Sequence, residues 1–217
     1  MIKKLLSISL AIVALQGSAK ASAWDLDAAH SSIGFSVRHM AISNVRGAFT
    51  GASGTMELDA KNPTRSTVEV DIEVKSIDTR NDKRDDHLKS PDFFDAGQFP
   101  TIHFKSTKVE KAGKNYKLHG QLTMHGVTKP VVLAVETTGK STKDPFGMTR
   151  MGFTATGKVN RREFNLMWNK AIEAGGLMVG DDITINIDAE FIHKDSIEAV
   201  GKKAEPPAGS PAPKKDK

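Results

Sequence analysis

Through most of its length the chain alternates apolar and polar residues with a period of two. In TVEVDIEVK, Val68, Val70, Ile72 and Val74 fall on one face and Glu69, Asp71, Glu73 and Lys75 on the other, as successive side chains of a strand must. DITINIDAEFI repeats the pattern, with Ile183, Ile185, Ile187, Ala189 and Phe191 opposite Thr184, Asn186, Asp188 and Glu190. Shorter versions run through SIGFSVR, NYKLHGQLTM and RMGFTA, and strands are expected over Val45–Leu58, Thr101–Val109 and Val131–Thr138. Gly47, Gly51 and Gly54 mark bends or bulges in the first of these, and Ala112-Gly113-Lys114-Asn115 reads as a turn. The count is about eight antiparallel strands, an all-β chain with one dry face. Such a sheet closes into a barrel or folds into a sandwich. Periodicity does not choose between them, nor between a barrel filled with side chains and one left open for an elongated ligand.

One long stretch breaks the alternation. From Asp78 to Phe104 charges crowd without period, and Pro91 and Pro100 punctuate the run. Thr79 or Asn81 can cap a short helix ending near Lys89, because the residue before Pro91 is pushed out of the helical region. Its only large apolar residue is Leu88, so it depends on polar contacts from Arg84, Asp85 and His87 and on Phe93 and Phe94 behind it. A lid or plug on a β structure is expected.

The two ends differ from the body. Residues 1–23 join Lys3 and Lys4 to an apolar run from Leu5 to Leu15 and close on Ala21-Ser22-Ala23, the form of a cleaved secretory signal. The run is too short to cross a bilayer, which needs about 20 apolar residues. A mature chain beginning at Trp24 is expected, without a permanent membrane anchor. There is no cysteine, so neither a lipid-modified terminus nor a disulfide framework can form. Residues 24–198 make one domain of ordinary size. Residues 199–217, rich in Pro, Ala and Lys, read as a disordered tail.

The formal net charge of +5 comes from those ends. Setting aside Lys3, Lys4 and Lys20, and the five lysines and two acids from Lys202 onward, leaves 23 basic and 24 acidic residues. No run within the near-neutral body makes a basic patch, which argues against a nucleic-acid partner or an anionic-membrane binder. His103, His119 and His125 fall opposite the apolar faces of their strands, and no HExxH or Cys/His spacing accompanies them. No metal site is expected. There is also no G-x-S-x-G elbow, P-loop or G-x-G-x-x-G unit.

Several motifs in order resemble the YceI-like family of periplasmic isoprenoid-binding proteins. They begin with Trp24-Asp25-Leu26-Asp27, His30-Ser31, Phe35-Ser36-Val37-Arg38-His39-Met40 and Val45-Arg46-Gly47-Ala48-Phe49. The middle supplies Thr79, Arg84-Asp85-Asp86-His87-Leu88-Lys89-Ser90, Asp92-Phe93-Phe94-Asp95 and Phe99-Pro100-Thr101-Ile102-His103-Phe104. Gly120-Gln121-Leu122-Thr123, Gly126-Val127-Thr128-Lys129-Pro130-Val131 and Val179-Gly180-Asp181 complete the set. Where the family usually has a glycine after Arg161 and Phe164, this chain has Asn165, a residue that tolerates positive φ better than most.

The resemblance implies an antiparallel eight-stranded lipocalin-like barrel with a short helix over one end. Its apolar cavity would hold a polyisoprenoid or similar long-chain amphiphile, an isoprenoid quinone among the candidates, with no other cofactor. Transport or storage in the periplasm without catalysis follows, and a homodimer is left open. A chain of this kind asks for a dry wall with few polar anchors. The expected lining is Ile33, Phe35, Val37, Phe49, Val70, Ile72, Phe93, Phe94, Leu122, Phe153, Ile185 and Ile187; for each taken alone core packing outweighs ligand contact, and the set carries the expectation better than any member. Candidates for the mouth or a headgroup are His30, Arg38, His39, Arg84, Asp85 and His87. The alternative is an enzyme modifying such a lipid with Arg84, Asp85 and His87 near the mouth.

Overall fold

The computed structural model describes residues 21–173 and 175–204. In chain order its elements are β1 (Ser22–Leu26), β2 (Ser32–His39), β3 (Ser43–Phe49), β4 (Ala52–Leu58), β5 (Thr67–Glu73), β6 (Ile77–Asp78), α1 (Asp82–Lys89), β7 (Thr101–Ala112), β8 (Asn115–Met124), β9 (Val127–Thr137), β10 (Thr142–Lys143), β11 (Thr149–Asn160), β12 (Val179–His193) and α2 (Lys194–Ala204).

Three pairs of these strands are single staves broken in the middle. β1 and β2 both lie antiparallel to β12, with Leu26 opposite Phe191 and Ser32 opposite Asp188. β4 and β3 continue alongside them, and β5 and β6 alongside those. Counting each broken stave once, with β7, β8, β9, β11 and β12, gives eight, and the pairing of β11 with β12 closes the ring. Ring order follows chain order. The fold is therefore an up-and-down barrel, in which β9 and β11 pair over Phe153–Thr156 and only the short strands β6 and β10 stand at the ends of the strand order.

The breaks have local causes. Between β1 and β2 the Asp27 carboxylate accepts from the Ala29 N–H and caps a single 3-10 turn over Ala28–His30. The bend foreseen within Val45–Leu58 falls at Thr50-Gly51, where a Cβ on Gly51 would stand 3.0 Å from Glu73 and from Ser76. β1 itself is too short to announce itself by alternation.

Asn81 caps α1 by accepting from the Arg84 N–H, and the helix stops at Ser90, before Pro91, as the sequence predicts. After Phe164 the chain turns through Asn165 at φ 61°, the left-handed geometry expected where the family has glycine.

One sequence expectation is redrawn at the C-terminal end. α2 takes in Ala199–Ala204, which composition had assigned to the tail; Ile197 and Val200 are half-buried on it, and the Ser196 hydroxyl accepts from the Thr149 N–H. The expected signal segment falls largely outside the described residues. Its last two, Ser22 and Ala23, extend β1 beside Leu58 and Glu57.

The barrel's two ends are built differently. At one, the β2–β3 hairpin, α1 and the long connection 161–178 converge; at the other lie α2 and the connections β4–β5, β7–β8 and β9–β11. The larger cluster of buried side chains, including Ile72, Ile102, Phe104, Leu122, Phe164 and Leu166, is drawn toward the α1 end. A smaller one of Trp24, Met56 and Phe191 packs beneath the wall at the α2 end.

Candidate functional site

Alternation turns one side chain in two toward the barrel axis, and those side chains do not fill the interior. A cavity of about 390 Å³ runs along the axis, within the range of small-molecule sites. Many inward residues, such as Ile33, Val37, Val70, Leu118, Ile185 and Ile187, are only half-buried although they point inside, because they face this hollow. All twelve residues expected from the sequence as lining stand on its wall: Ile33, Phe35, Val37, Phe49, Val70, Ile72, Phe93, Phe94, Leu122, Phe153, Ile185 and Ile187. Leu26, Met56 and Leu58 add a part of the wall not foreseen, since their strands are short or interrupted by glycine.

The cavity is blind at the α1 end. Leu88 of α1, Phe93, Phe94, Arg161 and Leu166 form its floor, and Phe93, Arg161 and Leu166 are buried. At the α2 end the wall includes Ala60 of the β4–β5 connection and Gly139 of the β9–β11 connection, the two lining positions that are exposed among the described residues. These connections lie across the ring from one another. The mouth is therefore between them, at the end opposite α1.

The floor is fixed by one buried cation. Arg161 is 2% exposed. Its guanidinium donates to the carbonyls of Leu166, Trp168 (2.9 Å) and Gly180 (3.0 Å), and to Asp181 Oδ1 at 3.2 Å. Five fixed donors suit this task as a lysine cannot. Burial lowers its pKa and Asp181 opposes that shift.

The six residues expected at the mouth are elsewhere. Asp85, buried, accepts from the N–H and hydroxyl of Thr79, while Arg84 donates from Nε to the Thr79 hydroxyl (2.7 Å) and from Nη2 to its carbonyl (2.8 Å). His87 Nε2 lies 2.9 Å from Asp92 Oδ2, and its ring stands edge-on to Phe93 and to Trp168 at 5.0 and 4.9 Å. These three pin α1 to the chain before it and to the 161–178 connection. Arg38, exposed, donates to Asn44 Oδ1 at 3.3 Å, and His39 ends β2, both at the closed end. His30 sits in the 3-10 turn on the outside, 2.8 Å from Asp27. None of the six lines the cavity.

A second fastening was invisible in the sequence because its members are far apart in it. Arg150, on the outer face of β11, donates to Asp27, Glu190 and Asp144 Oδ2, the last at 2.7 Å. It ties the β10–β11 connection to β12 and to the β1–β2 break. Asp27, His30 and Glu190 lie close enough for a cation, but Arg150 Nη1 already donates to both carboxylates, so their charge is met.

For Asp27, burial raises the pKa but the bonds from Arg150 and His30 outweigh it, and the net shift is downward; the bond from Arg150 likewise lowers Asp144. Carboxylates lowered in the folded state stabilise it above their unfolded pKa, and that contribution is lost as pH falls through the folded value. Melting temperature should therefore drop as pH falls below about 4. In Arg150→Leu the drop should be shallower, from a lower starting point at neutral pH. Parallel curves would contradict this role for Arg150.

Fold and site together define an up-and-down eight-stranded barrel with one blind axial cavity walled by apolar side chains. The YceI-like domain matches residues 24–191 of the chain, and the protein belongs to that family. It is 39% identical over 166 residues to a UPF0312 protein of Photorhabdus laumondii, covering 75% of this chain and 86% of the relative. The crystal structure of the Campylobacter jejuni YCEI protein superimposes with a TM-score of 0.62 at 34% identity, over 77% of this chain and 96% of that one. A polyisoprenoid binding domain from Saccharophagus degradans, implicated in plant cell wall breakdown, shares the fold with a TM-score of 0.58 at 13% identity, over 80% and 99% of the two chains.

Proposed function

We propose that this chain is a non-catalytic binding protein that holds one polyisoprenoid or similar long-chain lipid in its barrel, for transport or storage in the periplasm. The observation that carries the proposal is the apolar axial cavity, floored at the α1 end and with its exposed lining positions, Ala60 and Gly139, at the other. An extended hydrocarbon chain fits such a space tail first, with its polar end left at the opening. Burying roughly 400 Å² of apolar ligand surface contributes about 10 kcal/mol gross, enough to offset much of the cost of association without a specific hydrogen bond. An isoprenoid quinone satisfies the same requirement. The name of the Saccharophagus neighbour, a polyisoprenoid binding domain, supports the same ligand class.

The alternative, an enzyme using Arg84, Asp85 and His87, lacks support from geometry. All three are engaged in holding α1, and none reaches the cavity wall. Incubating the delipidated protein with a polyprenol and recovering the lipid tests the choice. The carrier returns it unchanged at about one per barrel, whereas steady conversion to a product of different mass would establish the enzyme.

Export is the other half of the reading, carried by the basic start, apolar run and Ala21-Ser22-Ala23. Intact-mass measurement on the exported protein should give a chain beginning at Trp24. A mass that includes Met1–Ala23 would contradict it.

A further inference from the structure

Near neutrality of the body hides an uneven distribution of charge. Five exposed lysines surround the mouth, Lys61, Lys114, Lys140 and Lys143 from the three connections and Lys111 from the end of β7, and none has a carboxylate within salt-bridge distance among the described residues. Two acids of the same connections are already taken: Asp59 by Arg65 at 3.7 Å and Asp144 by Arg150 at 2.7 Å. Lys111 pairs across the β7–β8 hairpin with Tyr116, which lines the cavity. Paired residues share a face, so Lys111 overhangs the opening.

Beyond the rim stands Phe146, 80% exposed at the tip of the β10–β11 hairpin. Val200 of α2, a helix carrying both signs of charge, lies 3.6 Å from the Cβ position of Gly147 beside that tip. The closed end is different. Its 74–100 connection mixes five basic with six acidic residues, so its field cancels. It does expose apolar side chains, Ile42 at 77% foremost, but without a matching ring of one charge.

We infer that the mouth end is a docking face for the surface of an anionic phospholipid bilayer, with Phe146 entering the headgroup region and the five lysines facing lipid phosphates. Each lysine near such a surface contributes about 1 kcal/mol, and an exposed aromatic ring adds an interfacial anchor. Docked this way, the barrel presents its opening to the bilayer, so lipid passes between membrane and cavity without crossing bulk water. The inference rests on the carrier reading for its purpose but not for its geometry. The lysines come from three separate parts of the chain, which is why no basic run in the sequence marked a membrane-binding surface.

The test is flotation of the mature protein with vesicles of phosphatidylcholine alone, or with about 30 mol% phosphatidylglycerol, at about 50 and about 500 mM salt. Binding is expected to the anionic vesicles at low salt and to fall at high salt. Lys140→Glu/Lys143→Glu should weaken it about 30-fold or more, since loss of two lysines alone accounts for that factor at ~1 kcal/mol each. The matched reversal Lys75→Glu/Lys83→Glu at the closed end should leave it within about twofold. Phe146→Ser should weaken binding, and Ile42→Ser should not. Absence of binding to anionic vesicles, or binding that follows Ile42, Lys75 and Lys83 instead, overturns the inference. Lipid extracted from the same preparations separates the two readings. Vesicle binding without bound lipid leaves the docking face standing and the carrier refuted; bound lipid without vesicle binding does the reverse.

Discussion

Arg161→Ala lowers stability by about 3–5 kcal/mol, a fall in melting temperature on the order of 10 °C for a chain of this size. The guanidinium donates to the carbonyls of Leu166, Trp168 and Gly180, and its loss leaves these acceptors and the Asp181 carboxylate without that donor. Arg161→Lys recovers less than half of the deficit, because one ammonium cannot span acceptors that the planar fork reaches together. Since Arg161 and Leu166 form the cavity floor, bound lipid should also decrease in the Ala variant. Denaturant unfolding of delipidated protein reads the stability alone. A loss below about 1 kcal/mol would show that the floor is held by other contacts.

Val70→Phe has the opposite signature, a large effect on ligand and a small one on the fold. Val70 lies mid-strand on the inner face, paired with Phe104 on one side and Gly54 on the other, and lines the cavity. In a filled interior the added ring costs about 1–3 kcal/mol by overpacking. Here it enters the hollow, so the delipidated variant should melt within a few degrees of wild type while extracted lipid per mole falls by about fivefold or more. Glu69→Ala, one residue away on the wet face, should change neither by much. Melting is compared without lipid because bound ligand raises apparent stability by mass action. A destabilised Val70→Phe that retains its lipid would place the ligand elsewhere.

The staves and the cavity wall were legible because a barrel strand obeys one strong rule: inward positions are apolar and outward ones polar. Ile183, Ile185 and Ile187, or Val70 and Ile72, declare their face without any neighbour. α1 was legible through Asn81 and Pro91, which act within a few residues. The closures were not. Arg161 meets carbonyls from positions 166 to 180, and Arg150 gathers carboxylates from 27, 144 and 190, spacings that no local pattern encodes. In the sequence Arg84, Asp85 and His87 suit either a headgroup site at a mouth or, more readily, a pin for the helix. Burial of Asp85 against Thr79 shows why those charges are there, and the mouth proves to be at the other end.

Native mass spectrometry of the purified protein, followed by identification of the released ligand, is the most direct test of a lipid-filled barrel. One bound species per barrel is expected, a long apolar chain of isoprenoid or similar type with a small polar end, reduced in Val70→Phe and unchanged in Glu69→Ala. Wild-type protein that carries no lipid, and takes up none when a polyprenol is added, would contradict it.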